Sequence, residues 1–205
     1  EDNGGMIAYN TKIISIESIG DKFKIITNDK TEIIANSIIN AAGLEAHNIA
    51  KLINGFNQKF IPKIYYAKGN YFETNKKLGI KHLIYPVPTE ASLGLHLGLD
   101  MSMQMRFGPD VEWVNEINYT VDPNRIDLFH EDIIKYLPDI KKEDLHPGYS
   151  GIRPKLKNKG EGKSDFMIQS SKEHGMENLV NLFGMESPGL TSSLVIADYV
   201  ADLIE

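Results

Sequence analysis

Apolar and polar positions alternate through the first third of the chain, which predicts strands. TKIISIES (Thr11 to Ser18), KFKIIT (Lys22 to Thr27) and TEIIA (Thr31 to Ala35) are three β-rich runs. Gly20-Asp21 and Asn28-Asp29 separate them, and such pairs turn hairpins. SIINAA, from Ser37 to Ala42, is apolar with little alternation, the pattern of a strand covered on both faces, and Gly43 ends it. LEAHNIAKLI then changes period: Leu44, Ile49, Leu52 and Ile53 fall near one helical stripe, and Gly55 stops it.

Residues 60 to 107 return to β-like runs. FIPKIYYAKGNYFET is rich in aromatic and β-branched residues, and HLIYPVPT is extended because Pro86 and Pro88 exclude a helix. In SLGLHLGLD, Leu93, Leu95, Leu97 and Leu99 face one way and Gly94, His96, Gly98 and Asp100 the other. That second face is small except for one imidazole, which suits close approach of a ligand or a strongly twisted strand. RIDLFHEDIIKYLPD, Arg125 to Asp139, predicts a surface helix with Phe129, Ile133 and Leu137 on one side and Pro138 as its stop. KNKGEGKSD, 157 to 165, reads as an exposed loop. The last stretch, from Glu177 to Glu205, combines a buried strand, a Gly/Pro turn and an amphipathic helix. That helix would start at Ser187-Pro188 and carry Leu190, Leu194, Ala197, Ala201 and Ile204 along one stripe.

These elements fit within 205 residues that are 41% hydrophobic and 24% charged, enough for one core or two modest layers and unlike a disordered chain. A formal charge of −6 offers no broad basic field for nucleic acid or anionic lipid. With no cysteine, disulfides, thiolate zinc ligands and a thiol nucleophile are excluded. The histidines show no metal-binding spacing, and no run is long and apolar enough to span a membrane. The fold class expected is α+β, a mixed α/β arrangement.

Three segments carry chemistry. GIRPK, Gly151 to Lys155, sets one of only three arginines in an extended, Pro-stiffened segment, where its planar fork suits a carboxylate or a surface ion pair. FGMESPGLTSS, Phe183 to Ser193, is a Gly-rich turn leading to a helix, which either offers unpaired N–H groups to a cofactor oxygen or is an ordinary cap. NAAG, Asn40 to Gly43, is small enough to border a dinucleotide, or to let strand and helix pack closely. His96 is a candidate base if it faces a site. No GxGxxG or GxxxxGK phosphate cradle occurs.

Together with AKGNYF at 67, LIYPVP at 83, GLHLGLD at 94, FGPDVEW at 107, YLPD at 136 and LFGMESPGLTSSLVIADYVA at 182, these segments are more specific than any one of them. In that order the chain resembles the flavin-dependent D-amino-acid oxidase superfamily, and within it the L-2-hydroxyglutarate dehydrogenase/oxidase family. The resemblance implies part of an FAD-binding domain with an accessory β-sheet over residues 1–56. It implies a mixed-sheet substrate domain over 57–150 and a return to the FAD domain over 151–205. By the same resemblance Ile13, Ala42, Gly43, Gly184, Met185, Glu186, Gly189, Leu190 and Thr191 adjoin FAD. Arg153 holds a substrate carboxylate with Lys155 and Tyr71 nearby, and His96 takes the hydroxyl proton.

Members of that superfamily begin with strand, GxGxxG and helix. The lack of that segment suggests the later part of a longer reading frame, separated by choice of segment or gene decay, with FAD binding expected to be weak or absent in this chain. The implied parent is an FAD-dependent oxidoreductase on CH–OH that converts a small 2-hydroxy acid, L-2-hydroxyglutarate foremost, to its 2-oxo acid. Its electron acceptor would be oxygen or a quinone, and its location cytoplasmic, at most peripheral to a membrane. The alternatives are a non-catalytic binding or scaffold remnant, and an amino-acid or glycerol-phosphate oxidoreductase of the same superfamily.

Overall fold

The computed structural model describes residues 2–87 and 94–204. Leu93 of the alternating run, and Pro88 with Thr89 of the extended one, lie outside the described residues. Two compact units form, one of Glu1–Ile64 with Pro154–Glu205 and the other of Tyr65–Arg153. They are called unit 1 and unit 2. Residues 57–64, expected with the second body, stay in unit 1 because Phe60 and Ile61 pack on the same core as Phe56.

Unit 1 opens with β1 (Ile13–Ile19), β2 (Lys22–Thr27), β3 (Glu32–Ala35), β4 (Ile38–Asn40) and α1 (Ala46–Lys51). Unit 2 holds β5 (Tyr65–Thr74), β6 (His96–Leu99), β7 (Met105–Gly108), β8 (Glu112–Val114), α2 (Ile126–Ile133) and most of β9 (Leu145–Lys155). The return to unit 1 adds β10 (Met167–Gln169), α3 (Ser171–His174), β11 (Leu179–Phe183) and α4 (Ser193–Ala201). The arrangement is mixed α/β. Among the described residues no helix is long and apolar enough to cross a membrane.

The hairpin signals build the antiparallel sheet β1-β2-β3. Gly20 makes the first corner at φ +67°, a left-handed conformation that costs an ordinary residue more than glycine. At the second corner Asp29 accepts hydrogen bonds from Thr27 Oγ1 and the Thr31 amide. Ile16 and Phe23 of this sheet join Ile38, Ala46, Ala50, Ile53, Leu179 and Phe183 in one core. The buried residues of α1 are therefore Ala46 and Ala50, with Ile53 just beyond it bridged to Ile16. Leu44 and Leu52 of the expected stripe are only half-buried.

The second sheet of unit 1 has the order β10-β11-β4, with β4 parallel to β11 and β10 antiparallel to it. All five residues of β11 are buried. β4 departs from its expected double cover: Ile38 and Asn40 are buried, but Ile39 is 50% exposed. Val200 of α4 packs with Val180 and Leu182 of β11. The C-terminal helix also differs. Turns occupy 187–192, α4 begins only at Ser193, and Leu190 and Leu194 are 90% and 80% exposed. The core side is Ile196, Val200, Leu203 and Ile204. A segment apolar on most sides does not choose its buried side by periodicity; β11 chooses it.

In unit 2 the strand order is β6-β7-β5-β8, with β9 also paired to β5. The β6–β7, β7–β5 and β5–β8 pairings are antiparallel. Their register sets Leu97, Phe107 and Phe72 in one row, each fully buried. Phe129 and Ile133 of α2 close over that row, with the Phe72 and Phe129 rings 4.6 Å apart. Full burial is worth about 1.5–3 kcal/mol for each such side chain. Helix α2 keeps the predicted Phe129/Ile133 face but ends at Ile133, and its continuation to Tyr136 is a turn.

Candidate substrate and cofactor sites

Because side chains alternate across a strand, the face of the unit 2 sheet opposite its core is set by the same register. His96 pairs with Gly108, and Gly98, Arg106 and Glu73 form the next row. The Tyr71 ring lies over Gly108, where a Cβ would come within 2.8 Å of the ring and 2.6 Å of the Asn70 carbonyl oxygen. Glycine is what leaves room for that ring. Tyr149 of β9 stacks on Tyr71, with ring centroids 4.5 Å apart and planes 8° from parallel. The Arg106 guanidinium stands 5.2 Å from the Tyr149 ring centre, with Nη2 3.0 Å from Asp100 Oδ2 and Nε 3.5 Å from Glu73 Oε1. Gln104 Nε2 donates to Glu73 Oε2 at 3.2 Å.

The electrostatics of this face favour a neutral Tyr71. Burial and the neighbouring Tyr149 push the Tyr71 pKa up to about 12, against the opposing pull of Arg153 and Arg106. Tyr71 is therefore a hydrogen-bond donor at ordinary pH, close enough to Arg153 for that charge to act on it. Burial works against the charge on Arg106, but the Tyr149 hydroxyl and Asp100 outweigh it and raise the Arg106 pKa. His96 lies across Gly108 from Tyr71, with the Tyr85 ring 4.2 Å away and inclined by 54°. A second network braces the sheet: the backbone and side-chain amides of Asn70 donate to Asp110 Oδ1 at 2.8 and 3.0 Å, and Arg125 Nε donates to Asp110 Oδ2 at 2.7 Å.

Tyr71 thus lies within electrostatic reach of Arg153, with His96 on the same sheet one strand beyond Gly108. Sequence reasoning missed Tyr149, Arg106 and Glu73. The available signal was the pairing of glycine-bearing alternating runs, Gly98 in one and Gly108 in the other, opposite an aromatic segment.

In unit 1 the parallel register Asn181 to Asn40 sets the carboxyl ends of β4 and β11 side by side. Ala42 and Gly43 leave one end and Gly184 and Met185 the other. Gly43 has φ +56° with open space where a Cβ would stand; Gly184 has φ +68°, and a Cβ there would meet Leu156 at 2.7 Å. The crevice beyond such strand ends is the general ligand position of open parallel sheets. Ala42, Leu190 and Thr191 are exposed, and Ile13 at the start of β1 is half-buried.

The turn before α4 is more self-satisfied than expected. The Gly189 amide donates to Glu186 O at 2.5 Å, Ser192 N to Pro188 O at 3.1 Å and Ser193 N to Leu190 O at 3.3 Å. Those N–H groups are used within the turn, and Gly189 is required by it, since a Cβ would meet Glu186 O at 2.7 Å. Lys155 Nζ is 2.5 Å from Glu186 Oε1, whose side chain is 9% exposed.

The family model described as FAD dependent oxidoreductase matches residues 1–203. The L-2-hydroxyglutarate dehydrogenase, mitochondrial, of Arabidopsis thaliana is 39% identical over 226 residues, covering 98% of this chain and 47% of that protein. The glycerol 3-phosphate dehydrogenase of Caloramator mitchellensis is 23% identical, covering 100% of the chain and 41% of its own length. Among solved structures, the dithionite-reduced, FAD-bound L-alpha-glycerophosphate oxidase of Mycoplasma pneumoniae superposes with a TM-score of 0.82 at 20% identity, over 99% of this chain and 52% of that one. The chain spans about half the length of the relatives it matches.

Proposed function

The chain belongs to the FAD dependent oxidoreductase family, and on that premise we propose that the whole protein oxidises a small 2-hydroxy acid, L-2-hydroxyglutarate before others. The observation that carries this reading is Tyr71, kept protonated on the non-core face of the unit 2 sheet and acted on by the charge of Arg153. A guanidinium near a neutral phenol suits a carboxylate: the first supplies charge and a planar fork, the second a further donor.

The residues of unit 1 fit one end of FAD. Gly43 leaves open space at its strand end, and Leu190, Leu194 and Val195, in the turn before α4 and in its first residues, are exposed and apolar. Ile13, Ala42, Gly43, Gly184, Met185, Glu186, Gly189, Leu190 and Thr191 would hold it, while the pyrophosphate cradle is not among these 205 residues. FAD, when bound, supplies a two-electron acceptor. Arg153 and Tyr71 fix the carboxylate next to the reacting carbon, which orients that carbon and its hydroxyl. An unprotonated ring nitrogen of His96 takes the hydroxyl proton as the alcohol becomes a carbonyl. Lys155 is already ion-paired with Glu186.

The test is a substrate panel on the whole, FAD-loaded protein together with Arg153→Gln. Preferred turnover of L-2-hydroxyglutarate, and a loss of roughly 2–5 kcal/mol in kcat/KM on removing the fork, are expected. A second reading, oxidation of glycerol 3-phosphate, is favoured by the Caloramator relative. Preferred turnover of the phosphate ester with little effect of Arg153→Gln would decide for it.

A further inference from the structure

Arg106 belongs to the non-core face of unit 2 but is poorly suited to receive a substrate anion. It is held by two carboxylates, Asp100 at 3.0 Å and Glu73 at 3.5 Å, so the cluster carries one net negative charge. Its remaining neighbour is aromatic. The guanidinium stands over Tyr149, and Tyr149, 45% exposed on its own strand, lies flat on Tyr71. An exposed tyrosine has rotameric freedom to lose, and a cation on its ring and a parallel ring against it each favour one rotamer. Gly108 completes the arrangement by leaving Tyr71 room to lie over the strand.

We propose that Arg106 is a positioning residue. Pinned by Asp100 and Glu73, it holds Tyr149 against Tyr71 so that two phenols, and not one, stand beside Arg153 as donors to the substrate carboxylate. The inference rests on the carboxylate-receptor reading above and adds Tyr149 to that receptor. The substrate then meets a three-donor site whose geometry is set by an ion cluster that never touches it. Removing the cluster loosens binding while leaving the proton acceptor and the reacting carbon's chemistry in place.

The experiment uses the whole, FAD-loaded protein and two readouts. Calorimetric titration with 2-oxoglutarate measures the carboxylate site without turnover, and steady-state kinetics separate KM from kcat. Arg106→Gln should weaken 2-oxoglutarate about tenfold and raise KM by a similar factor, with kcat within about twofold, and Arg106→Lys should recover part of the loss. Tyr149→Ala, which leaves the ion cluster intact, should reproduce the weakening, and both it and Arg106→Gln should diminish the near-ultraviolet circular dichroism of the stacked tyrosines. Binding unchanged within twofold in Arg106→Gln or in Tyr149→Ala, while Arg153→Gln loses it, overturns the role of Arg106 and leaves the receptor standing. Binding unchanged in Arg153→Gln as well overturns the receptor itself. If Arg106→Gln does not fold, Tyr149→Ala decides alone.

Discussion

The sheet of unit 2 and the parallel pair of unit 1 solve the same problem in opposite ways. Unit 2 closes one face completely, with Phe72, Leu97, Phe107, Phe129 and Ile133 fully buried, and gives the other face to Tyr71, Tyr149, Arg106 and Glu73. Unit 1 buries β11 throughout yet leaves Ile39, Leu190, Leu194 and Val195 exposed. A closed apolar face leaves the polar face free to specialise in charge and donors. An apolar surplus left outward is what a flat, mostly apolar ligand or further protein would cover.

The ionisable groups divide the same way. The histidines with depressed pKa, His47 and His174, are both in unit 1, and burial is the leading cause for each. The tyrosines with raised pKa, Tyr71 and Tyr136, are both in unit 2, again mainly through burial. Unit 1 is therefore sensitive to mild acid and unit 2 to strong alkali.

The largest effect expected is from Phe72→Ala, which removes the ring that packs on Phe129. Stability should fall by about 3–5 kcal/mol in chemical denaturation followed through the one tryptophan, Trp113, which lies on β8. A loss under about 1 kcal/mol would mean the face is not closed. Next, Lys155→Met removes the 2.5 Å ion pair from Glu186, whose side chain is 9% exposed, and should cost about 1–3 kcal/mol, read as lost hydrogen-exchange protection in β11 and α4. Exchange unchanged there would assign the pair no structural weight.

The pH comparison comes third. A depressed histidine pKa contributes stability that is complete above the unfolded value of 6.5 and is lost as pH falls through the folded value. Protection in α1 and α3 should decline first as pH falls below the unfolded value of 6.5, while Trp113 emission holds. A raised tyrosine pKa works in reverse: the contribution of Tyr71 is complete below pH 10 and lost as pH rises through about 12. Absorbance at the phenolate band should show that late ionisation, and all nine tyrosines titrating together near pH 10 would contradict it. The smallest effect is Leu194→Gln in this chain. At 80% exposure it should change stability by less than about 0.5 kcal/mol. A change of 2 kcal/mol or more in thermal or chemical denaturation would show that the outward apolar face is covered.

Local pattern carried the reading wherever a rule of neighbours in sequence was sufficient. The alternation at Leu95, Leu97 and Leu99 assigned that strand's core face correctly, Gly20 marked a true corner, and Phe129 with Ile133 marked the buried side of α2. It failed where a partner had to choose. Leu190 and Leu194 were expected on the buried stripe, but β11 selects Ile196 and Val200, and Ile39 lacks the second layer that an apolar strand predicts.

The site divides along the same line. Arg153, Tyr71 and His96 became candidates because each sits in a distinctive segment, and the run from Phe183 to Ser193 marked the turn before the last helix. Arg106 and Tyr149 could not, since their meeting depends on two strand pairings, β5 with β7 and β5 with β9, that bring together residues 71, 106 and 149. Strand identity follows from side-chain periodicity, a property of neighbours, so the sequence alone determined it. Register is decided by which apolar rows close over Phe129 and Ile133, and because a one-residue slip would turn every side chain to the opposite face, only the tertiary structure could place a guanidinium over that phenol.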